Sequence, residues 1–180
     1  FLKQSAALSG AFVLGLQVGT SGHAVAAESG APEVTHWIVI QPDDTVIIRI
    51  ARSELGQGSF TGLAQLVAEE LECDWNKVRP EYADVNMHMR RNRIFKDMST
   101  GGSRGIRDSH EYVRQGGAAA REMLVAAAAQ QWNVPASECS VSKGVVSHPS
   151  GKTARYGELA GLAATLPVPA APRLKDPKTW

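Results

Sequence analysis

The sequence predicts an α+β domain in which a short hairpin and mixed strands pack with two long helices. Three features predict it. Apolar runs at 37–40 and 46–51 flank the turn sequence "PDDT", which makes a hairpin. Phe60, Leu63, Ala64, Val67 and Leu71 fall at i, i+3, i+4, i+7 and i+11, the stripe of an amphipathic helix, and a second long helix runs to about Trp132. Each helix opens on a glycine-rich joint, within "ARSELGQGSF" at 51–60 and "STGGSRG" at 99–105.

In chain order, residues 1–27 read as an export signal: one cation, a mild apolar centre broken by Gly10, Gly15 and Gly19, then the cleavage pattern Ala24-Val25-Ala26. A membrane-spanning helix is the competing reading, but Gln17 and many small residues stand where a span needs about 20 predominantly apolar ones. The opening "FLK" resembles the tail of the twin-arginine export motif S-R-R-x-F-L-K, whose arginine pair is then expected just before Phe1. Residues 28–35 read as a linker and 36–180 as the folded part.

The hairpin feeds the first joint, where glycines imply a sharp turn or a close approach to something. The helix that follows carries Glu69, Glu70 and Glu72 at its polar end, and 77–83 predicts a strand. The stretch 84–99 is polar, has no period and reads as a long loop, a feature often functional in compact domains. Its basic run "MRRNR" at 89–93 reads as solvated. In the second long helix, the small-residue run at 116–120 lets another element pack close to the axis. Pro135 breaks the chain; short strands are expected at 139–143, 145–148 and 153–155, and a short helix at 156–166 before a proline-broken tail. No internal repeat is visible.

At 180 residues, with 43% hydrophobic and 21% charged, the chain suits one globular domain rather than a disordered segment. A net charge of +1 gives no electrostatic footprint for nucleic acid. Cys73 and Cys139 stand alone and far apart, which excludes a disulfide framework or a zinc site and leaves them as buried thiols.

A helix start offers unpaired N–H groups and partial positive charge, so it suits phosphate or another anion. Three chemistries compete with plain helix-capping turns. "GQGSFTG" is a variant dinucleotide fingerprint with Asp84 as the ribose acid, weakened by Thr61 where a third glycine normally falls. "GGSRG" matches G-x-S-x-G, with Ser103 as nucleophile and Asp108 and His148 as partners, but "FKDMST" before it is no strand. Alternatively, the two joints face one large anionic cofactor together.

The blocks "ARSELGQGSFTGLAQLVAEELECDW", "STGGSRGIRDSHEYVRQGGAAAREML" and "WNVPASECSVSKGVVSHPSGKTARYGELA" resemble, in order, segments of the molybdenum hydroxylases, the xanthine dehydrogenase and aldehyde oxidoreductase superfamily. The resemblance is closest to the isoquinoline oxidoreductase beta-subunit group and runs from His36 to the end. It implies a molybdopterin-binding domain whose two joints contact the cofactor, in its cytosine dinucleotide form. Carried over, Gly56, Gln57 and Gly58 would lie on one side and Thr100, Gly101, Gly102 and Ser103 on the other, with Arg107 as counter-charge. Leu55 replaces the usual methionine, and Gly105 stands where serine is common.

The resemblance also implies a longer enzyme that hydroxylates an aldehyde or N-heterocycle with oxygen from water. Its metal is molybdenum, and electrons pass to iron-sulfur clusters in a small partner subunit, with a cytochrome c subunit as a further candidate partner. Export places such a complex in the periplasm or on the periplasmic side of the inner membrane. The catalytic base is expected beyond Trp180, so neither Glu54 nor Glu158 is assigned that role, and these 180 residues alone are expected to be inactive.

Overall fold

The computed structural model describes residues 31–180; the expected export signal lies outside them. β1 (Glu33–Thr35), β2 (Ile38–Ile40) and β3 (Val46–Ile50) form an antiparallel meander, and β4 (Val78–Tyr82) joins β3 in parallel. β1 falls in the stretch read as a linker. Three residues are too few to show alternation, and the strand is tied down by Glu33, which accepts from Arg49 at 2.6 Å and Arg91 at 2.5 Å. The basic run at 89–93 is therefore only partly free in solvent.

The β2–β3 turn is closed by Asp44 in a left-handed conformation, φ 69°. Its almost buried carboxylate accepts from Lys77 Nζ at 2.9 Å, Arg155 Nη1 at 3.0 Å and the Gly157 N–H at 2.9 Å. One aspartate thus joins the hairpin, the start of β4 and the C-terminal part.

α1 (Ser59–Leu71) connects β3 to β4, so this part of the chain is a parallel βαβ unit. The expected stripe is buried at Leu63, Ala64, Val67 and Leu71, while Phe60 is half-buried against Tyr82. Glu70, expected on the polar end, is instead completely buried, because Arg114 reaches it at 2.7 Å.

The stretch read as a long loop contains α2 (Val85–Arg90), a helix too short to display a period. Asp84 caps it by accepting from the Asn86 N–H at 2.8 Å. The chain then passes through left-handed Asn92, Arg93 and Lys96, and inserts Phe95 into the core, where its N–H donates to His88 Nδ1 at 3.2 Å.

A single turn, α3 (Arg104–Arg107), leads into the 23-residue α4 (His110–Trp132). Its small residues do permit close approach: a Cβ at Gly117 would stand 2.6 Å from the Val67 carbonyl oxygen of α1, and one at Gly116 2.9 Å from Trp37. β5 (Ser140–Ser142), β6 (Val145–Ser147) and β7 (Thr153–Arg155) make a separate antiparallel sheet, followed by α5 (Tyr156–Ala163). Tyr156 anchors this end by donating its buried hydroxyl to the Leu71 carbonyl at 2.7 Å. Cys73 and Cys139 are free and half-buried rather than fully buried, and burial pushes the Cys73 thiol up to about 12.

Candidate functional site

The end of β3 delivers Arg52, Ser53 and Glu54 to the first joint. Gly56 and Gly58 have φ of 96° and 78°, a region that strains other residues, and Gly58 immediately precedes α1. Glu54 Oε1 accepts from the N–H groups of Gly56 at 2.7 Å and Gly58 at 2.8 Å, and Oε2 from that of Phe60 at 3.0 Å. The start of α1 therefore already holds an anion, the chain's own carboxylate. The Phe60 and Gly58 N–H groups keep that carboxyl below the usual carboxylate range.

Gln57 is exposed but turned into its own loop. Its Oε1 accepts from the Leu55 N–H at 2.6 Å, and its Nε2 donates to the Ser53 carbonyl at 2.8 Å and to Ser59 Oγ at 2.6 Å.

The second joint is different. Gly101, Gly102 and Ser103 are exposed, with Gly102 and Ser103 both left-handed at φ 56°. Among the described residues, the N–H groups of these three meet no acceptor. The turn is closed by the Arg104 N–H donating to the Gly101 carbonyl at 3.2 Å.

The fold brings the two joints side by side. The Ser53 N–H donates to Thr100 Oγ1 at 2.8 Å. A Cβ on Gly105 would stand 3.6 Å from Ser59 Cβ, an ordinary contact, and one on Gly62 would stand 3.3 Å from Ile106. Beneath them lies Arg52, 1% exposed, bonded to Ser109, Asp97 and the Ser99 carbonyl. Asp97 is held down to about 2 by the backbone and side chain of Ser99 and by Arg52. Arg107, in the turn that follows the second joint, is exposed and paired with Asp108 at 3.1 Å.

Sequence reasoning missed Arg52 and the capping role of Glu54. Both carried a faint signal: a cation directly after an apolar strand, and an acid two residues before the first of two spaced glycines.

The competing readings do not assemble. His148 bonds to Glu138 at 3.0 Å and to Ser150 at 2.8 Å, and Asp108 pairs with Arg107, so no triad forms around Ser103. Asp84 is a helix cap rather than a ribose acid, and three N–H groups of the first joint, those of Gly56, Gly58 and Phe60, are already taken by Glu54. Glu158 caps α5, accepting from the Arg155 N–H at 2.8 Å.

What remains is a set of open N–H donors beside exposed glycines. A Cβ at Gly56, Gly58 or Gly101 would meet nothing within 4 Å, so the ground in front of both joints is clear. This donor set fits an anionic group at the second joint, with the first joint as a wall rather than a phosphate clamp.

The family model of the molybdopterin cofactor-binding domain matches residues 4–180. Isoquinoline 1-oxidoreductase subunit beta of Brevundimonas diminuta is 38% identical over 135 residues, covering 74% of this chain and 17% of that protein. A protein of Gluconacetobacter polyoxogenes named membrane-bound aldehyde dehydrogenase [pyrroloquinoline-quinone] is 35% identical over 130 residues, covering 72% and 16%. The crystal structure of quinoline 2-oxidoreductase from Pseudomonas putida 86 superposes with a TM-score of 0.52 at 18% identity, over 71% of this chain and 16% of that one, and so shares the fold. The chain thus spans about one-sixth of the length of these relatives.

Proposed function

This chain belongs to the molybdopterin cofactor-binding domain family, and on that basis we propose that it grips the cofactor within a longer molybdenum-dependent oxidoreductase. The observation that supports this most is the junction of Ser53 with Thr100, which sets the open N–H groups of Gly101, Gly102 and Ser103 beside the exposed first joint.

In this reading the N–H groups of Gly101, Gly102 and Ser103, with the Thr100 and Ser103 hydroxyls, donate to anionic oxygens of the cofactor. Thr100 Oγ1 accepts from Ser53, so its own proton stays free to donate outward. Gly56, Gln57 and Gly58 form the facing wall. Gln57 has both N–H groups engaged within its loop, so it contributes the second lone pair of Oε1 and its flat amide edge. Arg107, already balanced by Asp108, adds positive charge without a dedicated ion pair to the ligand. Glu54 keeps the wall in shape.

When bound, the cofactor supplies the redox centre for hydroxylating an aldehyde or an electron-poor N-heterocycle with oxygen from water. We propose its cytosine dinucleotide form, electron transfer to iron-sulfur clusters in a small partner subunit and onward to a cytochrome c subunit, and a site on the periplasmic side of the inner membrane. The name of the Gluconacetobacter relative, a membrane-bound enzyme, supports that location. Among the described residues no helix is long and apolar enough to cross a membrane.

Cofactor analysis of the purified full-length polypeptide tests the reading. Stoichiometric molybdenum with an extractable pterin, and a cytosine nucleotide released on hydrolysis, is the expected result. Pyrroloquinoline quinone in the absence of molybdenum would overturn it.

A further inference from the structure

We infer that Arg52 is a positioning residue for this cradle, latching the segment 97–109 to the end of β3 and so fixing the direction of the Gly101, Gly102 and Ser103 N–H groups. What the cradle holds rests on the function proposed above; the latch follows from geometry alone.

A guanidinium buried to 1% exposure is costly unless its donors are matched. Here Nε donates to Ser109 Oγ at 2.9 Å, and Nη1 donates to Asp97 Oδ2 at 3.1 Å and to the Ser99 carbonyl. The partners flank the joint. Asp97 and Ser99 precede it and Ser109 follows it, so one side chain pins both ends of the excursion that carries the open donors. Each partner is itself fixed: Asp97 accepts from the Ser99 N–H at 2.8 Å and from Ser99 Oγ at 2.9 Å, and Ser109 Oγ accepts from the Tyr112 hydroxyl at 2.7 Å. Arg104, inside the joint, adds a bond from Nη2 to Ser99 Oγ at 3.1 Å.

The fork matters. Only a planar guanidinium reaches serine through Nε and carboxylate and carbonyl through Nη1 at once; a lysine ammonium is a single point. Without the latch, ordering the exposed turn at each binding event would weaken retention of the cofactor.

The test uses the full-length polypeptide, made cofactor-free and cofactor-loaded, as wild type, Arg52→Lys and Ser109→Ala. Ser109→Ala keeps the buried charge and its carboxylate, so it carries the test if Arg52→Lys does not fold. In the cofactor-free protein, amide exchange across 99–109 should accelerate about tenfold or more, the scale of one lost charge-assisted hydrogen bond, while α1 and the core of α4 keep their protection. In the loaded preparation, molybdenum per folded polypeptide should fall below wild type.

Unchanged exchange across 99–109 in both variants would overturn the latch. Acceleration spread equally through α1 and α4 would overturn it as well, since that marks general destabilisation. Faster exchange confined to 99–109 with wild-type molybdenum content would overturn the link to the cofactor. A wild-type protein that carries no molybdenum would instead count against the proposed function.

Discussion

The Ser53 N–H donates to Thr100 Oγ1 across 2.8 Å, joining two glycine-rich turns that lie 47 residues apart in the chain. Each turn taken alone is a helix start. Held together they frame one surface, and the single exposed hydrogen bond between them is the smallest element that can be removed to test that frame. Thr100→Val removes the acceptor and should cost about 0.5–1.5 kcal/mol of stability, with Thr100→Ser restoring it. Chemical denaturation of the two variants checks both halves; a loss in the serine variant with none in the valine variant would mean that the methyl group, not the hydroxyl, is what matters.

Glu54 predicts a pH dependence. Its carboxyl is held below the ordinary range by the Phe60 and Gly58 N–H groups, so its ionised form stabilises the folded state. A depressed folded value contributes stability above the unfolded carboxylate range, and that contribution disappears as pH falls through the folded value. Glu54→Gln should therefore lower the unfolding midpoint at neutral pH and converge with wild type under acid conditions. A difference that persisted unchanged into acid would exclude the charge as its source.

Two helical glycines predict opposite signs. A Cβ on Gly117 would lie 2.6 Å from the Val67 carbonyl oxygen and 2.9 Å from Glu70 Cβ, so Gly117→Ala must push α1 and α4 apart and should cost about 1–3 kcal/mol. Gly161 in α5 meets nothing within 4 Å, and Gly161→Ala should stabilise by about 0.5–1 kcal/mol through helix propensity. An unfolding midpoint of Gly117→Ala at or above wild type would contradict the packing described between α1 and α4.

These elements also mark how much was legible in the sequence. α1 and α4 could be read because a long apolar stripe and a run of small residues leave a period; the hairpin could be read because "PDDT" separates two apolar runs. α2 could not, since six residues held by the Asp84 cap and the insertion of Phe95 leave no stripe. Nor could the burial of Glu70, whose partners Arg114 and Arg121 arrive from another helix. Both joints were found in the sequence, and so were the two long helices, although the second joint opens the single turn α3 and not α4 itself. What the sequence could not reveal is the division of labour between them: Glu54 fills the first joint from within its own loop, while the second stays open. Long-range pairs such as Arg52 with Ser109 depend on the parallel pairing of β3 with β4 and the return of the chain through 84–99, and neither leaves a local trace.

The central claim, that the second joint lies against the cofactor, is tested most directly at Gly101. Unlike Gly58, whose φ of 78° would strain any side chain, Gly101 lies outside the left-handed region and a Cβ there meets nothing within 4 Å. Gly101→Leu in the full-length polypeptide should therefore leave stability within about 0.5 kcal/mol of wild type while placing a side chain where the cofactor is proposed to approach. The measurement is molybdenum per folded, monodisperse polypeptide. A severe loss of metal at an unchanged unfolding midpoint is the predicted result; full molybdenum occupancy in Gly101→Leu would contradict the assignment.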